Sequence, residues 1–164
     1  MAEQKTQQVF DIRKIYIKDA SLESPNAPDI FLVDNAQPQI DINASIQTSS
    51  LEQDDYYEVV LGMTVTSKIN DDVAFLVEVE QAGVFHIAGF PKDNIPLALQ
   101  ITCPNVLLPF AREAVCEMVG KAGFPQLLLS PINFEALYHQ KQQHKVQAEK
   151  GAKDKNEQDQ TLPN

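Results

Sequence analysis

The residues of this chain whose types and spacing could do chemistry are three histidines, two cysteines and two pairs of adjacent carboxylates. A histidine acts as a base when a nucleophile or carboxylate lies within hydrogen-bond reach. His86, His139 and His144 are scattered, and the last two fall at or beyond the end of the last predicted helix. No nucleophile–base pair can be assembled from them. Asp54 with Asp55 and Asp71 with Asp72 could share acid–base work, but both pairs flank turns, where aspartate is favoured for backbone reasons, so they read as solvated turn residues. Cys103 and Cys116 have neither redox-pair nor zinc-site spacing and read as buried small apolar side chains. The phosphate cradles GxxxxGK[ST] and GxGxxG, the GxSxG elbow, HExxH and the EF-hand loop are all missing. The expectation is a non-enzymatic protein without metal or cofactor.

The elements that must position any other site are set by composition and periodicity. A chain of 164 residues, 43% of them apolar, can bury one compact core. No window approaches the roughly 20 apolar residues of a membrane span, and the start has no leader pattern; a cytoplasmic protein is expected. The net charge of −10 speaks against nucleic-acid binding, which rests on Lys and Arg neutralising phosphates. Residues 1–82 account for that whole charge, whereas the tail after Gln140 is close to neutral. The acidity therefore belongs to the folded part and favours a basic partner.

Strands are predicted first and helices last, an α+β arrangement. Val9 to Lys18 carries Phe10 and Ile12 on one parity and Ile15 and Ile17 on the other, which predicts a bulge near Arg13 and Lys14. Ala20 to Pro38 reads as a long proline-bearing crossover loop. Gln39 to Ile46 alternates as a half-buried strand, with Ile40, Ile42, Ala44 and Ile46 on one face. Tyr56 to Ile69 and Val73 to Gln81 form an antiparallel hairpin. Phe75, Val77 and Val79 then face one way, and Leu76, Glu78 and Glu80 the other. After an irregular segment, a helix capped by Asn105, with Pro109 in its first turn, is predicted to run to about Lys121. A second, capped by Ser130 or Asn133, begins near Phe134 and fades after Gln140. The organisation expected is a flexible lead over 1–8, one domain over 9–139 and a disordered tail over 140–164.

Four stretches in order carry a resemblance: Val9 to Pro28, with Ile15-Tyr16-Ile17-Lys18-Asp19 and Ser24-Pro25-Asn26-Ala27-Pro28; Tyr57 to Leu61 with Ala74 to Val79; Cys103-Pro104-Asn105 to Glu113; and Gly123-Phe124-Pro125-Gln126 to Leu137. Together they resemble the SecB family of protein-export chaperones over residues 9–138. The resemblance implies a four-stranded antiparallel sheet with two C-terminal helices packed on one side, assembled as a dimer of dimers, with no cofactor and no use of ATP. It implies that unfolded precursor proteins are held and passed to the SecA motor. Family members carry a tryptophan just before the Gln-Pro that is Gln37-Pro38 here; this chain has Ala36 there and no Trp at all.

Residue by residue, the resemblance implies that Asp19, Glu23, Leu76 and Glu78 hold the small, basic, zinc-bearing end of SecA. It places the Asn105–Lys121 helix, with Leu107 and Met118, between subunits of a homotetramer, and matches Val77, Val79 and Gln81 to positions that influence assembly. A client groove is expected where the crossover, with Phe31 and Leu32, meets Phe134, Leu137 and Tyr138, with Phe75 nearby, because aromatics give large contact area with few rotors to freeze. Nucleic-acid binding and membrane insertion are not expected. An acidic oligomeric scaffold that holds no client is the alternative.

Overall fold

The structure is a computed structural model that describes residues 7–158, with side-chain burial described for residues 7–148. Most of the expected flexible lead and the last residues of the expected disordered tail lie outside the described residues. Two compact units are distinguished, one through Ile132 and one from Asn133 on.

The first unit is built on one sheet. Strands β1 (Val9–Glu23), β2 (Gln39–Ser50), β3 (Tyr56–Ile69) and β4 (Asp72–Ala88) lie in the order β1-β4-β3-β2, every neighbouring pair antiparallel. The β3–β4 hairpin turns on Asn70 and Asp71, both at positive φ (50° and 70°). Asn and Asp tolerate that region better than other side chains, and two such residues make the turn whose twist matches a hairpin.

β1 solves its parity problem with two bulges. The register steps from Ile12↔Phe85 to Lys14↔Val84, and again from Ile17↔Gln81 to Asp19↔Glu80. The first is the irregularity predicted at Arg13 and Lys14. The two steps put Phe10, Ile12, Ile15, Ile17, Ala20 and Leu22 opposite Ile87, Phe85, Gly83, Gln81, Val79 and Val77. One continuous apolar row therefore faces the same side of the sheet.

That side is covered by α2 (Cys103–Lys121), which lies mainly over β4 and β3. Leu107, Ala111, Val115 and Val119 are fully buried and meet Val59, Leu61, Val65, Val77, Phe85 and Ile87 in the core. Gly83 lets the helix approach closely: a Cβ there would stand 2.7 Å from the Phe85 ring and 3.0 Å from Leu107. β2 lies at the edge beyond this cover. Its Ile40 and Ile42 are 42% and 43% exposed, so the half-buried strand expected from alternation is an edge strand with an open apolar face.

Other boundaries differ from the sequence reading as well. β1 continues to Glu23, so the crossover is shorter and contains a 3-10 turn at Asp29–Leu32, anchored by buried Ile30. β4 continues to Ala88 through the stretch read as irregular. A helical path begins at α1 (Asn94–Leu97) and passes through a π-helical turn, Ala98–Thr102, into α2. Asn105 is therefore no cap; its side-chain amide donates to the Ile101 carbonyl 2.9 Å away, inside the helix. Pro109 likewise sits in the helix interior, exposed, where its missing N–H leaves one backbone acceptor to water.

In the second unit, α3 (Phe134–Gln158) runs past Gln140, where fading was expected. Asn133 caps it, its side-chain oxygen accepting from the Ala136 N–H at 2.9 Å.

Candidate functional site

Two surfaces of the first unit stand out, on opposite sides of the sheet. On the helix side, α2 ends at Gly123 (φ +91°), with the Phe124 N–H donating back to the Val119 carbonyl at 3.3 Å. A left-handed glycine followed by an apolar residue is the common way a helix stops and turns its next side chain inward. Here it delivers Phe124 between two other rings. Its centroid is 5.0 Å from Phe31 of the 3-10 turn and 5.0 Å from Phe75 of β4. The tilted arrangements, 36° and 52°, suit the ring quadrupoles.

Beside these rings opens a cavity of about 340 Å³ lined by Ala36, Pro38, Ile40, Ile69, Phe75 and Phe124, with Ser67 among its few polar groups. It is mostly apolar and open to solvent. Ser24 and Asn26 fix the crossover to β4, donating to the carbonyls of Ala74 (2.8 Å) and Val73 (2.9 Å).

The other side of the sheet is acidic. Across β1 and β4, Asp19 pairs with Glu80, Ser21 with Glu78 and Glu23 with Leu76; Thr64 and Thr66 of β3 continue the last two rows. Asp19, Glu23 and Glu78 are exposed, and Leu76 is half-buried among them. Among the described residues, no ion pair involves Asp19, Glu23, Glu78 or Glu80. Two bases on this side are engaged elsewhere: Arg13 pairs with Asp11 at 2.9 Å, and Lys18 with Glu58 at 2.8 Å.

Glu58 also accepts from the Tyr16 hydroxyl, which reaches it across β4. Lys18 first, then Tyr16, hold the Glu58 carboxyl below its ordinary pKa. The same hydrogen bond, helped by burial, pushes the Tyr16 phenol up to about 12.

The structure brings Asp19, Glu23, Leu76 and Glu78 together on one face. It joins Phe31 and Phe75 to the aromatic cluster but leaves Leu32 78% exposed. Phe134 is buried, and Leu137 and Tyr138 are half-buried, in the second unit. Val77, Val79 and Gln81 are buried beneath α2, Leu107 is buried on the inner side of α2 itself, and Met118 is half-buried on α2. Cys103 is buried, its thiol pushed up to about 12, whereas Cys116 is half-exposed, a correction to its reading as a core residue. Phe124 was missed. The signal was in the sequence, since Gly123 followed by an apolar residue predicts an inward turn.

The family described as "Preprotein translocase subunit SecB" matches residues 3–145. The chain belongs to the SecB family. The Protein-export protein SecB of Methylobacillus flagellatus is 51% identical over 147 residues, covering 90% of this chain and 92% of that one. Its namesake in Chromobacterium violaceum is 49% identical over 146 residues, 89% of this chain and 96% of the other. In Neisseria meningitidis the figures are 47% over 141 residues, 85% and 95%. Among solved structures, a Mycobacterium tuberculosis SecB-like chaperone in complex with a ChAD peptide from an antitoxin superposes with a TM-score of 0.63 at 16% identity, over 75% of this chain and 90% of that one. SecB proteins are protein-export chaperones, not a class of enzyme, and the four-stranded antiparallel sheet followed by C-terminal helices is the fold this chain shares with that structure. Among the described residues, no helix is long and apolar enough to cross a membrane.

Proposed function

We propose that this SecB-family chain is an ATP-independent cytoplasmic holdase, which keeps unfolded precursors competent for translocation and delivers them to SecA. The observation that carries this reading is the separation of two unlike surfaces on one sheet: an aromatic cavity on the helix side and an unneutralised acidic face on the other. The cavity suits apolar side chains of many sequences, since burial of apolar area is not directional. Each such contact is worth about 1–2 kcal/mol, so several grooves are needed to hold one client.

Asp19, Glu23, Leu76 and Glu78 form the docking face for the basic, zinc-bearing end of SecA. Assembly as a dimer of dimers would multiply the grooves. Phe110 at 44% and Leu128 at 81% exposure, on and just after α2, supply apolar surface for it. Val77, Val79 and Gln81 act on assembly by setting how α2 sits, because their side chains are buried beneath it. The tail past Gln140 carries few apolar residues with which to join the core.

The test is suppression of aggregation of a chemically unfolded precursor, with nucleotide omitted. A substoichiometric or one-to-one effect on light scattering is expected; no effect at any ratio would leave the acidic scaffold as the better reading.

A further inference from the structure

Lys18 lies in the second bulge of β1, between Ile17↔Gln81 and Asp19↔Glu80. A bulge sets two successive side chains on the same side of the sheet. Lys18 therefore stands on the acidic face, beside two carboxylates that face each other across the strands. Like charges directly opposite destabilise a sheet, so a neighbouring cation is expected to bend toward Asp19 and Glu80. It does not. Its Nζ reaches instead to both oxygens of Glu58, at 2.8 and 3.0 Å.

Glu58 is held ready for it. The Tyr16 hydroxyl donates to one of its oxygens, crossing β4 at the row where Ala82 is opposite Tyr16 and Val60. A larger side chain on β4 at that row would stand in the way. The Glu58 side chain is only 17% exposed, so solvent screens this pair less than an ordinary surface pair. Lys14, opposite Val84 in the row of Glu58, and Arg13, paired with Asp11 over the Tyr56 ring, are the other cations on this side of β1, both away from Glu78 and Glu23.

We infer that Glu58 is a positioning residue for the docking face: with Tyr16 it draws Lys18 out of the acidic stripe and so leaves Asp19 and Glu80 uncompensated for a basic partner. The inference rests on the docking face proposed above. Glu80 becomes part of that face, although sequence reasoning singled out only Asp19, Glu23, Leu76 and Glu78.

The experiment measures binding of the zinc-loaded basic C-terminal peptide of SecA to the full chain, at low and physiological salt, with oligomeric state and melting temperature recorded for each variant. Glu58→Gln releases Lys18 onto the stripe and is expected to weaken binding roughly three- to tenfold, as a misplaced rim charge does. The double variant Glu58→Gln with Lys18→Gln carries the same charge as the original pair and is expected to return to within about twofold of it. A double variant as weak as the single one would overturn the inference, as would an unchanged Glu58→Gln protein. Glu78→Lys separates the two levels: if that protein binds normally, the docking face itself is wrong, whatever Glu58 does. Spectrophotometric titration checks the cluster in solution, because the late-titrating tyrosine should return toward 10 in Glu58→Gln; its absence from the unaltered protein would also overturn the inference.

Discussion

The rings of Phe124 and Phe75 lie 5.0 Å apart, one just past the end of α2 and the other on β4, so the helix terminus and the sheet share one wall of the cavity. Replacing Phe124 with alanine removes the ring that links Phe31 to Phe75. Client affinity should fall by about 1–2 kcal/mol per groove, roughly five- to thirtyfold, with a modest drop in melting temperature. Titration of a fluorescently labelled unfolded precursor reads this; unchanged affinity would place the client elsewhere.

Glu78→Lys puts a cation between Ser21 and Thr64 in the acidic stripe. Exposed pairs contribute only about 0.2–1 kcal/mol each and are screened by salt, so docking must rest on several together. SecA binding should be lost while aggregation suppression persists, since the cavity is on the other side of the sheet. Equal loss of both activities in parallel assays would show that the two surfaces are not independent.

Charge placed in the helix should act differently at two positions. Leu107 is fully buried against the sheet, and Leu107→Lys leaves an unpaired ion in the core, costing several kcal/mol. Unfolding is expected. Met118 is only half-buried, so Met118→Lys should keep the fold and shift the sedimentation profile toward smaller species. A fully folded, fully assembled Leu107→Lys protein would contradict the core described here.

The Tyr16 phenol has a raised pKa in the folded protein, so between its ordinary value near 10 and about 12 the folded state holds a proton that the unfolded state has lost. Stability from the Tyr16–Glu58 bond is therefore complete below pH 10 and declines as pH rises toward 12. Denaturant midpoints of the unaltered protein should fall faster over that window than those of Tyr16→Phe. One of the four tyrosines should also titrate late by absorbance.

Deleting Gln147 to Asn164 should leave oligomer size and melting temperature unchanged to within a degree or two. The segment carries almost no apolar residues with which to offset its ordering entropy. Light scattering and calorimetry decide it, and a shift to smaller species would assign the tail a part in assembly.

Much of this was legible in the chain. Alternation located β2, β-branched and aromatic content β1, and the polar turn at Asn70 to Asp72 the β3–β4 hairpin, while the parity switch at Arg13 and Lys14 announced the first bulge. The second bulge, at Lys18, carries the same sign in the switch from Ile15 and Ile17 to Ala20 and Leu22, but the prolines after Ala20 made that stretch read as a loop rather than as the rest of the strand. The exposure of β2 was hidden too: alternation says that one face is apolar, not whether a helix is long enough to cover it. Asn105 and Pro109 misled because they are common at helix starts, while the actual start lies upstream in α1, where Pro96 occupies the first turn. The Tyr16–Glu58 bond spans two strands and a third between them, and nothing local in either residue's neighbourhood encodes it.

The pairing of Val9 with Ala88 has a consequence for how the molecule is made. Of the four strands β1 leaves the ribosome first, yet among the described residues its strand partner is β4, the last strand to be made. At roughly 5–20 residues per second, β1 waits for several seconds with its apolar row uncovered. Closing so long a loop is also slow in refolding, where non-local pairing sets the rate. The first of the four strands to be made therefore waits for the last of them, and during that interval the nascent chain exposes the kind of apolar stretch that its mature form is proposed to hold.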